Sequence, residues 1–393
     1  MTARSSLNTI VSSPWAGAAT RKAGNDSPAD AEQPRETTGT IPVGISLLGT
    51  PTETHHGHVA SISSDRKTVA GTGVRNLRVA LGLIWILDAA LQFQPYMFTR
   101  GFVNDVLLAS AQGNPGFVFH PTITIANFIA PHIAAWNVLF ALLQLFLGVG
   151  IIAGTLARRS SLLGGVLAAS ILWSALVWWL SEGLGGTLSG ASPLAGAPGA
   201  VLLYAVVAVL LWPGQRTHET PIPAPHLGSR AARMTWLASW ALCGFLLLEP
   251  PNQARGAVSS VVSEAASGEP GFLHGMLSSV AGSLRGAGPW VDSFLALAMV
   301  AIGVAVAFGF RPRAFLGASI AVAAAIWVFG EGFGGILTGQ GTDPNSGPLW
   351  MLFALCMWVG LREARAEPEL RGTAQAYATS PPSSMPRPTV PVA

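Results

Sequence analysis

The sequence predicts an all-α membrane protein that crosses the bilayer several times. Half of the 393 residues are hydrophobic and only 10% are charged, whereas about a quarter of the residues of a soluble domain carry a charge. The charged residues lie mostly outside long apolar runs, which is typical of a polytopic membrane protein. A formal net charge of +3 is too small to indicate a nucleic-acid surface. We therefore expect the lipid bilayer, and no nucleic acid, as a partner.

An internal repeat is the second observation behind this fold class. The segment EGLGGTLSG begins at Glu182, and EGFGGILTG begins at Glu331, which is 149 residues later. Upstream of these segments an offset of 155 residues aligns Trp85 with Trp240 and a Pro-Gly-Phe sequence with its second copy. A fixed offset of this kind indicates a duplicated structural unit. We predict eight transmembrane helices, arranged as two tandem parallel four-helix repeats with outer interfacial helices.

The apolar runs give the predicted spans, because a helix needs about 20 apolar residues to cross the roughly 30 Å of hydrocarbon in a bilayer. The first span of each half is followed by a stretch of mixed polarity, 98–128 or 255–283, which we expect to lie at the membrane surface. The predicted spans are 77–95, 130–156, 162–181, a run that ends at 213, 234–250, 290–310, 315–330 and 348–361.

The remaining segments are polar or rich in proline and show no sustained apolar period, so we predict that they are disordered or act as a linker. The predicted organisation is a disordered cytoplasmic tail at 1–70, a first four-helix repeat at 75–213, a linker at 214–231, a second repeat at 232–361 and a second disordered cytoplasmic tail at 362–393.

Basic residues predict the orientation of the chain. Arginines occur at every second junction between spans, and such junctions face the cytoplasm in membrane proteins. We therefore expect a multi-pass protein of the cell membrane with both termini cytoplasmic. Two four-helix halves of the same orientation make a parallel repeat, related by an axis along the membrane normal. The arginines concerned are Arg75, Arg78, Arg158, Arg159, Arg216, Arg230, Arg233, Arg311, Arg313, Arg362 and Arg365.

Glu182 and Glu331 are the main candidates for chemistry. They lie at the predicted outer ends of spans three and seven, where a carboxylate needs water or a partner. One interpretation is that the pair handles protons in a cleft between the halves. The other is that each Glu holds the amides of its glycine-rich turn. Trp178 and Trp327 lie one helical turn earlier and are candidates to wall a pocket for a flat ring, although interfacial packing explains most tryptophans in such helices.

Further polar residues within the predicted spans are candidate ligand-binding groups. Asp88 is near the middle of span one, where an isolated acid is usually functional or paired, and its repeat equivalent is Cys243. Asn137 aligns with Asp292, and His132 lies near the outer end of span two. The sequence contains no zinc-type spacing and no CxxC, so we predict no metal site and no covalently bound cofactor.

These features resemble the DoxX/DoxD family of membrane modules. The resemblance is carried by the segment LRVALGLIWILD at 77–88, by the end of span one at 92–95, and by the Glu-Gly-x-Gly-Gly segments. It extends over about 75–361 as two tandem copies, with Cys243 in place of Asp88 in the second. It implies a four-helix module associated with membrane redox partners, since DoxD-like proteins include a subunit of a thiosulfate:quinone oxidoreductase.

The resemblance therefore implies a quinone-interacting component of an electron-transfer system, with quinone as a diffusible cofactor and a redox partner protein. Two alternatives remain open at this stage. Parallel repeats with a central seam also occur in small-solute or ion permeases. A non-catalytic membrane assembly subunit would need no site at all, so whether the chain is an enzyme stays undecided.

Overall fold

The computed structural model describes residues 56–214 and 224–379, with side chains at 71–214 and 224–362. Within these ranges all regular elements are helical and no strand occurs. The predicted all-α fold class is therefore confirmed for the described part of the chain.

From residue 56 to residue 214 the structure contains six α-helices, joined by short 3₁₀ turns and one π-helical segment at Phe102–Leu108. The helices are α1 (His56–Leu91), α2 (Ala109–Ala111), α3 (Gly116–Ile129), α4 (Ile133–Leu156), α5 (Ser160–Leu180) and α6 (Ala200–Leu210).

The described part of the second half also contains six α-helices. They are α7 (Arg230–Leu247), α8 (Ala257–Ala265), α9 (Gly271–Leu284), α10 (Gly288–Phe308), α11 (Pro312–Phe329) and α12 (Ser346–Thr379).

Four helical stretches among the described residues are long and apolar enough to cross a membrane. They are Gly116–Leu156, which joins α3 to α4 through a 3₁₀ turn, then α5, α10 and α11. Large apolar side chains on these helices remain exposed, such as Leu172 at 63% and Phe308 at 73%. In a membrane these surfaces would contact lipid rather than water.

The helices of the two halves pack against one another in the same order. Helix α1 packs on α4, α4 on α5 and α5 on α6, while α7 packs on α10, α10 on α11 and α11 on α12. The two groups meet where α12 contacts α1 and α6. One hydrophobic cluster runs through both groups and includes Trp85, Tyr204, Trp240 and Phe353. The approach of α1 to α4 requires glycine, because a Cβ at Gly148 would lie 2.6 Å from the carbonyl oxygen of Gly82.

The helix boundaries differ from the predicted ones at both ends of the described chain. Helix α1 begins at His56, inside the segment 1–70 that the sequence predicts to be disordered, and α12 continues to Thr379, beyond the predicted end of the last span at 361. The Glu, Ala and Arg residues that follow Leu361 are good helix formers, so the helix continues beyond the apolar run. Helix α7 begins at Arg230, inside the predicted linker 214–231. Residues 1–55, 215–223 and 380–393, which belong to the predicted tails and linker, lie outside the described residues.

Candidate functional site

A left-handed turn follows α5 and recurs after α11, and it positions the two glutamates. Residues 183–186 all have positive φ angles of 56–70°, and residues 332–335 have angles of 53–72°. This region costs about 1–2 kcal/mol per residue for side chains other than glycine. Leu184 and Phe333 are the only non-glycine residues in the two turns, which explains the Glu-Gly-x-Gly-Gly pattern. The turns direct Glu182 and Glu331 back towards the starts of α6 and α12.

Glu331 caps the N-terminus of α12. Its Oε1 accepts a hydrogen bond from the Ser346 hydroxyl, and its Oε2 accepts one from the Gly347 N–H at 3.0 Å. The preceding Trp327 donates its indole N–H to the Pro344 carbonyl at 2.8 Å. Burial raises the pKa of Glu331 to about 7, although its hydrogen bonds act in the opposite direction. Both oxygens of this carboxyl are therefore engaged in holding the helix start.

Glu182 occupies the same position before α6 but keeps one oxygen without a partner. It accepts a hydrogen bond from the backbone of Val201, the counterpart of Gly347, and Trp178 donates to the Pro198 carbonyl at 2.7 Å. The first residue of α6 is Ala200, where α12 has Ser346, so no hydroxyl reaches the second oxygen. The buried Oε2 consequently has no hydrogen-bond partner. Burial, followed by the nearby charge of Asp343, raises the pKa of Glu182 to about 8.

Glu182 lines a pocket of about 120 Å³ among α1, α4, α5 and the loop before α12. Aromatic side chains of Trp85, Phe102, Phe140 and Trp173 form much of its wall. Five of its lining side chains carry a buried polar atom that lacks a hydrogen-bond partner. These atoms are Asp88 Oδ1, Gln92 Oε1, Gln144 Oε1, Glu182 Oε2 and Trp173 Nε1. Buried polar groups almost always have partners, so this cluster of five unpartnered polar atoms is suited to a bound polar molecule.

Asp88 is held in place by the core of the first half. The Tyr204 hydroxyl donates to its Oδ2 at 2.5 Å, and the Tyr204 ring lies against Trp85 with 4.2 Å between ring centroids. Trp85 in turn donates its indole N–H to the Ser170 hydroxyl at 3.0 Å. This network fixes one carboxylate oxygen and leaves the other to the pocket.

Asp343 is the site residue that the sequence analysis missed. It lies in the loop before α12, yet it lines the pocket of the first half together with Thr342. Gln92 at the end of α1 donates to the Thr342 carbonyl at 3.3 Å, which ties this loop to the first half. Asp343 itself accepts hydrogen bonds from the Asn345 N–H at 2.6 Å and the Thr342 hydroxyl at 2.9 Å. Burial raises the pKa of its carboxyl.

A larger cavity of about 420 Å³ adjoins the pocket. Small and polar residues such as Ser110, Gln112 and Ser189 line it. Glu182 and Asp343 line both spaces, so these two carboxyls lie at the boundary between the aromatic pocket and the more polar cavity. The arrangement places titratable groups where a proton would pass between the two.

The other predicted site residues have varied positions. Asn137 is buried and donates to the Gln92 carbonyl at 2.6 Å, so it supports the pocket from behind. Asp292 is buried in α10 with no hydrogen-bond partner for either oxygen, and it lines none of the cavities described here. His132 is exposed. Trp178 and Trp327 line neither of these two cavities, since their indoles face loop carbonyls.

The structure thus brings Asp88 and Glu182 together and leaves Glu331 apart from them. In the described part of the chain no group of three or more His, Cys, Asp or Glu side chains is arranged to hold a metal ion. The glutamine and tryptophan atoms of the pocket had no distinguishing sequence pattern, because each occupies an ordinary helix position.

Comparison with protein-family models, with curated proteins and with solved structures finds no match to this chain. A functional assignment therefore depends on the geometry of the pocket.

Proposed function

We propose that this chain is a multi-pass membrane protein that binds a quinol in the pocket between Asp88 and Glu182. The observation that supports this most strongly is the set of five unpartnered polar atoms beside an aromatic wall. A quinol is a flat ring with two hydroxyl groups that can each donate and accept a hydrogen bond, so it matches both the polar atoms and the wall. The unpartnered Trp173 N–H would donate to one of the ring oxygens.

Glu182 would handle the proton of a bound hydroxyl. Its pKa of about 8 means that it exchanges a proton near neutral pH. Its position on the boundary with the larger cavity gives the proton a route away from the ring. Asp343 lies on the same boundary and would raise the proton affinity of Glu182 through charge repulsion.

The resemblance to DoxX/DoxD modules favours a role as the quinone-interacting component of an electron-transfer system. In such a system the quinone is diffusible, and a redox partner protein exchanges electrons with it. The residues of this chain would bind and orient the ring and accept its proton, while the partner supplies the electron chemistry.

Eight spans in two parallel repeats remain part of the proposal. The equal packing order of the two helix groups, the matched left-handed turns and the matched Trp-to-carbonyl hydrogen bonds support it. Exposed arginines at the α4–α5 and α10–α11 junctions, such as Arg158 and Arg311, are consistent with cytoplasmic junctions. We propose a cell-membrane protein with both termini in the cytoplasm.

The test is binding of a short-chain quinol to the full protein in lipid nanodiscs. We expect saturable binding to the wild type and a large loss in Glu182→Gln and Asp88→Asn. Glu331→Gln is the matched control, because that carboxyl caps a helix outside the pocket. Unfolding midpoints of all three variants report whether they fold.

Two results would contradict the proposal. Absence of binding to the folded wild type would exclude the quinol, and solute-uptake assays and partner isolation would then examine the permease and assembly alternatives. Equal loss of binding in Glu331→Gln and Glu182→Gln would show that the pocket is not the binding site.

A further inference from the structure

A third cavity, of about 220 Å³, lies mainly in the second half of the chain. Residues of α8, α9, α10 and α11 line most of it, including Val262, Leu284, Val291 and Ile326, and Leu194 from the first half also lines it. All twelve lining residues are apolar, and none has a polar side chain. The cavity is therefore different in kind from the pocket that holds Asp88 and Glu182.

This cavity and the pocket that holds Asp88 and Glu182 occupy equivalent places in their halves. Val322 and Leu284 line the cavity. With the offsets of the sequence repeat they correspond to Trp173 and Ile129, which line the pocket. The polar groups of the first pocket have apolar counterparts, since Met299 replaces Gln144 and Cys243 replaces Asp88. At these positions the second copy has thus kept the space and has apolar side chains, while Glu331, the counterpart of Glu182, lies outside the lining of the cavity.

Water is a poor occupant for such a space. A buried water needs two to four polar partners, and an engineered cavity of about 150 Å³ lined by Leu, Ile and Phe stays dry and binds benzene. The cavity here is larger than that, and its walls are equally apolar. An empty space of this size would also lose the dispersion contacts of its lining atoms. A hydrocarbon occupant satisfies both conditions.

The helices around the cavity indicate where the hydrocarbon comes from. Helices α10 and α11 are two of the four stretches able to cross a membrane. On α10, Val291 and Leu295 line the cavity, whereas the neighbouring Trp290 and Phe294 are 82% and 70% exposed. The cavity is thus next to a surface that lipid chains would cover. We propose that it takes one acyl chain of a bilayer lipid.

This proposal is independent of quinol binding in the first half. It assigns different ligand chemistry to the two cavities: hydrogen-bond acceptors and aromatic rings for a polar ring in one, and aliphatic walls for a saturated chain in the other. A bound chain would also fill the space between the short helices α8 and α9 and the membrane-crossing pair.

The test uses the full protein in phosphatidylcholine vesicles that contain a small fraction of phosphatidylcholine with a diazirine on one acyl chain. After irradiation, mass spectrometry maps the labelled residues. We expect label on cavity residues of α9 and α11, such as Leu284 and Ile326, besides the exposed residues of α10. Label at Phe294 and Phe308 serves as the internal reference for ordinary lipid contact.

A cavity-filling variant provides the decisive comparison. Val322→Trp introduces the side chain present at the equivalent position, Trp173, and we expect cavity labelling to fall about tenfold because the space is filled. Val304→Trp is the matched control on the exposed face of α10 and should leave cavity labelling unchanged. Ala325→Leu fills part of the same space with less risk to folding.

Three outcomes would overturn the proposal. The first is label confined to the exposed residues, and the second is cavity labelling that persists in both filling variants. The third is displacement of the label by a long-chain isoprenoid quinone but not by unlabelled phosphatidylcholine, since that would assign the cavity to another occupant.

Discussion

The two halves of this chain share one scaffold and differ in the chemistry of equivalent positions. Each half has a left-handed turn after its third long helix, a glutamate at that turn and a cavity of similar position. The first-half pocket has five unpartnered polar atoms among its aromatic walls, whereas the residues that line the second-half cavity are all apolar. The positions that differ are Asp88 and Cys243, Gln144 and Met299, Trp173 and Val322, and Tyr204 and Trp350. A site can therefore be gained or lost by a few substitutions while the helix packing stays the same.

The two glutamates also differ between the halves, because only Glu331 accepts a hydrogen bond from a side-chain hydroxyl. Glu331 receives the Ser346 hydroxyl and the Gly347 N–H, so it is fully engaged. Glu182 has Ala200 in place of the serine and keeps a buried oxygen without a partner. The same Glu-Gly-x-Gly-Gly motif thus gives two glutamates with different hydrogen bonding. The residue that makes the difference is the first residue of the following helix.

The largest expected effect comes from removing the carboxyl of Asp88, whose equivalent in the second half is Cys243. Asp88→Asn should weaken quinol binding about 10- to 100-fold, because a buried quinol hydroxyl left without its partner costs about 1–3 kcal/mol. Titration of the full protein in nanodiscs measures this. Cys243→Ser changes the equivalent residue and should leave binding unaltered; equal losses in both would remove the distinction between the halves.

Exchanging the capping residue should make the two glutamates more alike. Ala200→Ser gives Glu182 the hydroxyl that Glu331 already has, so quinol binding should fall about tenfold while stability rises by about 1 kcal/mol. Ser346→Ala should destabilise the protein by about 1–2 kcal/mol, because it leaves a buried carboxyl oxygen unpaired. Unfolding midpoints and quinol affinity of both variants measure the exchange. A weaker effect of Ser346→Ala than of a surface Ser→Ala change would argue against the cap.

The pH dependence of stability should differ between the two glutamates. Both folded pKa values, about 8 for Glu182 and about 7 for Glu331, lie above the ordinary value of 4.5. The folded state therefore holds protons that the unfolded state has released, and stability falls as pH rises from about 4.5 towards these values. Glu182→Gln should flatten this fall up to about pH 8, and Glu331→Gln only up to about pH 7. Unfolding midpoints measured across this range would contradict the assignment if the two variants gave the same profile.

The smallest expected effect concerns Asp343, which belongs to the second half and lines the pocket of the first half. Asp343→Asn should lower the pKa of Glu182, because it removes a repulsive charge, and should change quinol affinity by only a few-fold. The pH profile of quinol binding should shift to lower pH. Asp105→Asn is the control, since that exposed carboxyl interacts with Tyr96 away from the boundary. An unchanged profile in Asp343→Asn would separate this residue from Glu182.

Much of the fold, and part of the site, follow from the sequence alone. The apolar runs predict the long helices. The glycine pattern indicates the two turns, because glycine adopts positive φ angles more easily than other residues. Asp88 and Glu182 are identifiable because a charge within or beside an apolar run is costly. Asp343 is not, since its role depends on a loop of one half reaching the other. The contrast between Glu182 and Glu331 also escapes the repeat alignment, because the loops before Ala200 and Ser346 differ in length.

The loop that carries Asp343 makes the pocket a property of both halves together. If the chain were cut between residues 214 and 224, the first half alone would contain Asp88 and Glu182 but would lack the third carboxyl and the contact from Gln92 to Thr342. Two copies of the first half would offer a loop with Ala197 before Pro198, where the second half has Asp343 before Pro344. If the two halves are expressed as separate chains, the pocket should form only when a first half associates with a second half. Ligand binding to the pocket would therefore also show that the two different halves have associated.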